Sequence, residues 1–84
     1  MLAALLIIPL PAQAAFTQRA VVNGNGVRLR KTPGNGTVLE LMYKREIIYI
    51  DDEVYDPYYP NWIYVKRHNT KTKGWMAWEY FVHQ

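Results

Sequence analysis

With 84 residues the chain has room for one domain, and with no cysteine it offers no disulfide, thiol nucleophile, Cys-rich zinc site or lipidated thiol. Half of its residues are hydrophobic, with seven Tyr, three Trp and two Phe, so ring packing is expected to supply much of a small core. Ten Lys and Arg against seven Asp and Glu leave a net charge of +3, a bias toward anionic partners too small to select among them.

Residues 2–10 form an apolar run, followed by Ala12-Gln13-Ala14, the small-x-small pattern that a signal peptidase accepts. The run is far shorter than the roughly 20 residues that span a bilayer, and Pro9 and Pro11 end any helix before the cleavage point, so no stable membrane anchor is expected. The reading is a signal peptide over residues 1–14 and a domain over residues 15–84, exported to the periplasm or cell envelope. A buried first strand or helix is the competing reading, and the proline pair weighs against it.

Beyond Thr17, short β-rich runs alternate with turn residues about every ten positions, the pattern of a small all-β barrel or sandwich. Residues 19–22 make a first strand, and Asn23-Gly24-Asn25-Gly26 is a turn suited to positive φ. In Val27-Arg28-Leu29-Arg30 alternation points Val27 and Leu29 inward and the two arginines outward. Residues 31–36 are a loop shaped by Pro33 and Gly34, and residues 37–43 the next strand. Lys44 and Arg45 turn the chain into a strand over 46–51, with Ile48 and Ile50 on one face and Ile47 and Tyr49 on the other. Pro57 and Pro60 make residues 52–61 a loop. Strands over 62–66 and 74–77 flank a polar hairpin loop, a 3₁₀ turn covers 78–80, and Phe81-Val82 adds a last short strand.

Three stretches in this order resemble the bacterial SH3 (SH3b) domain family over about residues 19–82. Val27-Arg28-Leu29-Arg30-Lys31-Thr32-Pro33-Gly34 is similar to the family's Leu-Asn-Val-Arg-Ser-Gly-Pro run, with Leu29, Arg30 and Pro33 in matching places. Trp62-Ile63-Tyr64-Val65 resembles its Trp-x-x-Val strand, and Gly74-Trp75-Met76 with Tyr80-Phe81 resembles its Gly-Trp-Val and terminal Tyr-Leu. Two departures stand out: Arg45 replaces the glycine usual before the strand at 46–51, and the loop over 52–61 is longer and richer in rings. The resemblance implies an SH3-like barrel of five to seven short strands that serves as a targeting module, often one that binds peptidoglycan.

The candidate binding surface is the proline-stiffened loop carrying Tyr55, Tyr58 and Tyr59 and leading into Trp62, because rigid rings grip sugars and extended peptides at small entropic cost. Trp62 also has a core reading. Trp78 stands where the family carries small polar residues, which points to a binding face, whereas Trp75 and Tyr80 match family positions that pack the barrel. Arg28, Arg30 and Lys31 make a basic edge, and the Arg30 fork suits either a carboxylate or phosphate ligand or a structural contact.

Asp51, Asp52, Glu53 and Asp56 lack the ligand alternation and glycine of a calcium loop and read as a solvated acidic turn. His68 and His83 fit no metal-ligand spacing, and no catalytic triad or phosphate loop is present, so neither catalysis, a metal nor a cofactor is expected. The expected function is recognition of peptidoglycan or a related envelope polymer, with an adaptor for an extended or proline-rich segment of an envelope protein as the alternative. No nucleic-acid partner is expected, since that would require a denser basic patch. On this reading, mass spectrometry of the exported protein finds Ala15 as its first residue; a mature chain that retains residues 1–14 contradicts it.

Overall fold

The alternation seen in the sequence becomes seven strands in a computed structural model that describes residues 16–84; the signal-peptide expectation lies outside those residues. The strands are β1 (Gln18–Val22), β2 (Val27–Arg30), β3 (Val38–Met42), β4 (Ile47–Asp51), β5 (Trp62–Arg67), β6 (Lys73–Ala77) and β7 (Phe81–His83), with a 3₁₀ turn, Trp78–Tyr80, before β7. They form one antiparallel sheet in the order β3-β2-β6-β5-β4-β1-β7. The expected all-β fold of short strands with a 3₁₀ turn near the C-terminus is therefore correct, and strand limits differ from the sequence reading by one residue at most.

Ala20 and Val22 of β1, Val27 and Leu29 of β2, Met42, Ile48 and Ile50, Val65 and Met76 all enter a single buried cluster. A flat sheet of seven strands would spread over about 29 Å at the usual strand spacing, too wide for residues of β1 and β3 to share one core. The sheet is therefore curled around the cluster. Strand β6 meets β2 closely at Gly74, where any Cβ would stand 2.7 Å from the Arg30 carbonyl oxygen and 3.0 Å from Leu29 Cγ. Only glycine allows that approach, which gives the Gly74-Trp75 pair a physical reason.

The expectation of a ring-packed core fails. No Tyr, Trp or Phe belongs to the buried cluster, and Phe81 is the one ring packed against it. A small curled sheet encloses little volume, which aliphatic side chains and the adaptable Met42 and Met76 fill. Aromatic residues stay on the outward positions of the same strands.

The curl is closed at one end of its inner face by Arg67, the last residue of β5, which has the parity of buried Val65 and pairs with buried Ile48. Its Nε and Nη2 donate to the two carboxylate oxygens of Glu46 at 2.7 and 2.8 Å, while Nη1 donates to Glu40 Oε1 on β3 at 2.9 Å. In the sheet order β3 lies three places from β5, so a direct contact requires the curl. The hairpin between β5 and β6 completes the network: Thr70 donates to Glu40 Oε1 at 2.6 Å, Thr72 donates to Glu40 Oε2, and Asn69 donates to Glu46 Oε1 at 3.0 Å. The backbone N–H of Tyr43 adds a bond of 2.6 Å to Glu46. The side chains of Arg67, Glu40 and Glu46 are only 13%, 23% and 12% exposed, so solvent screens these pairs little.

Hydroxyl donation from Thr70 and then Thr72, with the Arg67 bond, holds the Glu40 carboxyl below its ordinary range. Burial pushes Glu46 up, but donation from Arg67 and the Tyr43 N–H outweighs it and the net shift is downward. Bonding to Glu46 and Glu40 raises Arg67 despite its burial.

Residues 43–46 form a turn closed by the Glu46 N–H on the Tyr43 carbonyl at 3.1 Å, with Arg45 at φ 77°. Arginine thus adopts the left-handed conformation for which glycine is favoured. The acidic turn also differs from expectation. Asp51 is buried, because its Oδ1 accepts the Glu53 N–H at 3.1 Å and caps the turn from within.

Two outcomes follow for stability. Arg67→Ala leaves two carboxylates without their cation, a loss of about 2–3 kcal/mol after discounting for partial exposure, or roughly 10–20 °C in a thermal melt. Because both glutamates are depressed, their contribution is full above about pH 4.5 and is lost as pH falls through their folded values, so the wild type loses stability in acid and the variant loses less. Arg45→Gly relieves the positive φ at some entropic cost and raises stability by about 0.5–1 kcal/mol, readable as a higher denaturant midpoint.

Candidate functional site

The outward positions of β2, β5 and β6 carry Arg28 and Arg30, Trp62 and Tyr64, and Trp75 and Ala77. Trp62 pairs with Ala77 across the β5–β6 ladder, and Arg30 pairs with Trp75 across β2 and β6. Alternation that buries Leu29, Val65 and Met76 therefore places these groups together on the opposite side.

A groove of about 600 Å³ opens over Trp62 and Ala77, in the size range of small-ligand sites. Arg28, Arg30, Gly34 and Asn35 line it together with Glu79 and Tyr80 of the 3₁₀ turn and the Asn23–Gly26 turn. Backbone bonds hold the lining segments. The Asn23 N–H donates to the Tyr80 carbonyl at 2.7 Å, the Trp78 N–H donates to Asn61 at 2.9 Å, and the Lys31 N–H donates to Thr37 at 2.8 Å. Arg30 donates Nη1 to the Gly36 carbonyl at 2.8 Å, which stiffens the loop over residues 31–36. That contact is a bond to a carbonyl and not the ion pair or stacking role that the sequence suggests for Arg30, and the side chain also lines the groove.

The loop over residues 52–61 is locally ordered. Asp56 Oδ1 accepts the Tyr58 N–H at 3.0 Å, the Asp56 carbonyl accepts the Tyr59 N–H at 3.0 Å, and the Tyr59 carbonyl accepts the Trp62 N–H at 3.1 Å. Tyr59 crosses to the facing loop and lies against Gly34, where a Cβ would come within 2.7 Å of its ring. Gly34 also has φ 78°, so its place in the groove wall needs glycine for both space and conformation.

The sequence-predicted residues thus divide. Arg28, Arg30 and Trp62 line the groove; Trp78, 57% exposed, joins Trp62 and Asn61 in an adjoining hollow; and Tyr59 backs the wall at Gly34. Tyr55, Tyr58 and Lys31 are exposed, Tyr58 to 88%, and none of them lines the groove.

Three readings are corrected. Trp62 is half-buried and outside the core, because it occupies an outward position of β5. Trp75 packs against Tyr64 on the outer face, with ring centres 5.3 Å apart and ring planes tilted by 55°. Tyr80 is 42% exposed and walls the groove, although its carbonyl also ties down the Asn23 turn.

Glu79 and the asparagines at 23, 25 and 35 are further groove residues that the sequence reading treated as turn-formers or passed over. The doubled Asn-Gly was their one signal, and it is equally a turn signal. Among the described residues no three His, Asp or Glu side chains come together to hold a metal ion. Two cations, a carboxylate and the Trp62 and Tyr80 rings line the groove, so it can hold a ligand that is part apolar and carries both charge signs.

Compared with models of protein families, with curated proteins and with solved structures, the chain matches none.

Proposed function

We propose that this chain is an exported binding module of the bacterial SH3 type that recognises cell-wall peptidoglycan in the groove over Trp62. The observation that carries this reading is the groove's composition: Trp62 and Tyr80 offer flat apolar surface, and Arg28, Arg30 and Glu79 line the same groove. Glycan strands bring sugar faces that stack on rings, and their peptides bring carboxylates for arginine and amines for glutamate. The sequence motifs support the family assignment, the curled seven-stranded sheet is compatible with it, and the apolar run at residues 2–10 supports export.

The alternative, an adaptor for an extended or proline-rich segment of an envelope protein, draws on the two rings set between loops, where a polyproline ridge could lie. An envelope protein that co-purifies and is displaced by its own isolated segment favours the adaptor.

Sedimentation with insoluble cell wall separates these readings. Wild type pellets with the wall, and Tyr80→Ala and Arg28→Glu each weaken binding about tenfold, as expected for a ring or charge anchor. Tyr58→Ala, outside the groove, has the smaller effect. Wild type that stays in solution, or groove variants that pellet as well as it does, defeats the proposal.

A further inference from the structure

A second surface lies on the outer side of β1, β4, β5 and β6, away from the groove. Arg19 pairs with Tyr49, Tyr49 with Lys66, and Lys66 with Lys73, so one cross-strand row carries three cations and a ring. Tyr64 and Trp75 form the neighbouring row. Phe16 lies over both, its ring centre 5.6 Å from that of Tyr64, with the Lys66 and Lys73 ammonium groups 5.5 and 5.4 Å from it. Lys66 also sits 5.8 Å from the Tyr49 ring, and Tyr49 bonds His68 at 3.2 Å. Phe16 has φ 67°, a conformation costly for a phenylalanine, which is maintained where its ring is held from several sides.

The charges on this face are almost all of one sign. Among the described residues the ion pairs belong to Arg67, and none involves Arg19, Lys66 or Lys73. Of the nearby carboxylates, Asp51 is buried with its Oδ1 engaged by Glu53, and Asp52 at the margin accepts the Gln18 amide at 2.6 Å. Half-buried rings with polar tips, interleaved with lysines, match the boundary of a bilayer, where ring bodies meet acyl chains and ammonium groups meet phosphates.

The chain's course gives a second reason. This reason rests on the proposed export: Phe16, on this face, follows by six residues the apolar run that an exported chain would carry into the membrane. Six residues reach no more than about 20 Å, which would bring the face close to the bilayer while the run is attached.

From these observations we infer that the face of Arg19, Tyr49, Tyr64, Lys66, Lys73 and Trp75 docks flat on the surface of an anionic phospholipid bilayer. The occupant is a bilayer because rings and cations here form a broad two-row surface and, on the proposed export, the apolar run at residues 2–10 brings this face to the membrane. Docking of this kind is electrostatic and reversible, and each cation contributes about fivefold to affinity.

Co-sedimentation of the full chain with vesicles tests the inference. Vesicles of phosphatidylglycerol and phosphatidylcholine bind wild type, and phosphatidylcholine alone binds it far less. Lys66→Gln with Lys73→Gln weakens binding to the anionic vesicles about 25-fold, and raising the salt to high ionic strength releases wild type. Replacing both lysines by arginine retains binding. Arg19→Gln, at an exposed site, loses about fivefold and serves if the double glutamine variant fails the circular-dichroism check for folding. Equal binding to anionic and neutral vesicles, or folded charge-removed variants that bind like wild type, overturns the inference. Lysine-dependent retention of single-stranded DNA without vesicle binding also overturns it, and reassigns the face to nucleic acid.

Discussion

The bond set of Arg67 is the constraint on which the rest of the molecule depends. Hydrophobic burial drives the strands together, but nine small or medium side chains do not by themselves dictate how tightly a seven-stranded sheet curls. Arg67 does so by reaching from β5 to Glu40 on β3, a strand three places away in the sheet order, while it also bonds Glu46 at the start of the neighbouring β4. Its planar fork suits this task. Two parallel bonds to Glu46 fix direction as well as distance, which a lysine could not do. The turn at residues 43–46 is drawn into the same network, and Lys44 in that turn donates its N–H to Asn25 in the groove wall at 3.2 Å. A change in curl would therefore move the Asn23–Gly26 turn relative to Trp62.

A core made of aliphatic side chains and methionine leaves the large rings other than Phe81 outside it. Inward positions are limited by volume, so Trp62, Tyr64, Trp75 and Tyr49 occupy outward positions of the central strands. There they divide into two regions of different electrostatics. Near Trp62 the groove is lined by Arg28, Arg30 and Glu79, and the region has mixed charge. Toward Lys66 and Lys73 carboxylates are either buried or at the margin. Strand β5 carries both regions, its first residue in the groove and its fifth on the basic face.

Much of the fold was legible in the sequence because it depends on local patterns. Alternation in Val27-Arg28-Leu29-Arg30 and in residues 47–50 assigned inside and outside correctly, and Asn-Gly pairs and prolines marked the loops. The 3₁₀ turn at Trp78–Tyr80 was also readable. What was hidden depends on distance along the chain. Arg67 meets partners 21 and 27 positions away, and nothing around Glu40 or Glu46 announces them. Ring content could not show which face of the sheet receives the rings, so the core was misread and Trp62 and Trp75 with it. The site was half legible. Arg28, Arg30 and Trp62 were named from motif and chemistry, while Tyr80 and Glu79 enter the groove only because the 3₁₀ turn folds back beside the Asn23–Gly26 turn.

The central claim is that ligand enters the groove over Trp62, and chemical-shift mapping of the wild-type protein with a soluble peptidoglycan fragment tests it most directly. The account predicts saturable shifts of the Trp62 indole N–H, the Arg28 and Arg30 side chains and the Tyr80 ring, with little change around Val65 and Ile48 in the core. Saturable shifts confined to Tyr55 and Tyr58, or no shifts at millimolar fragment, would contradict it.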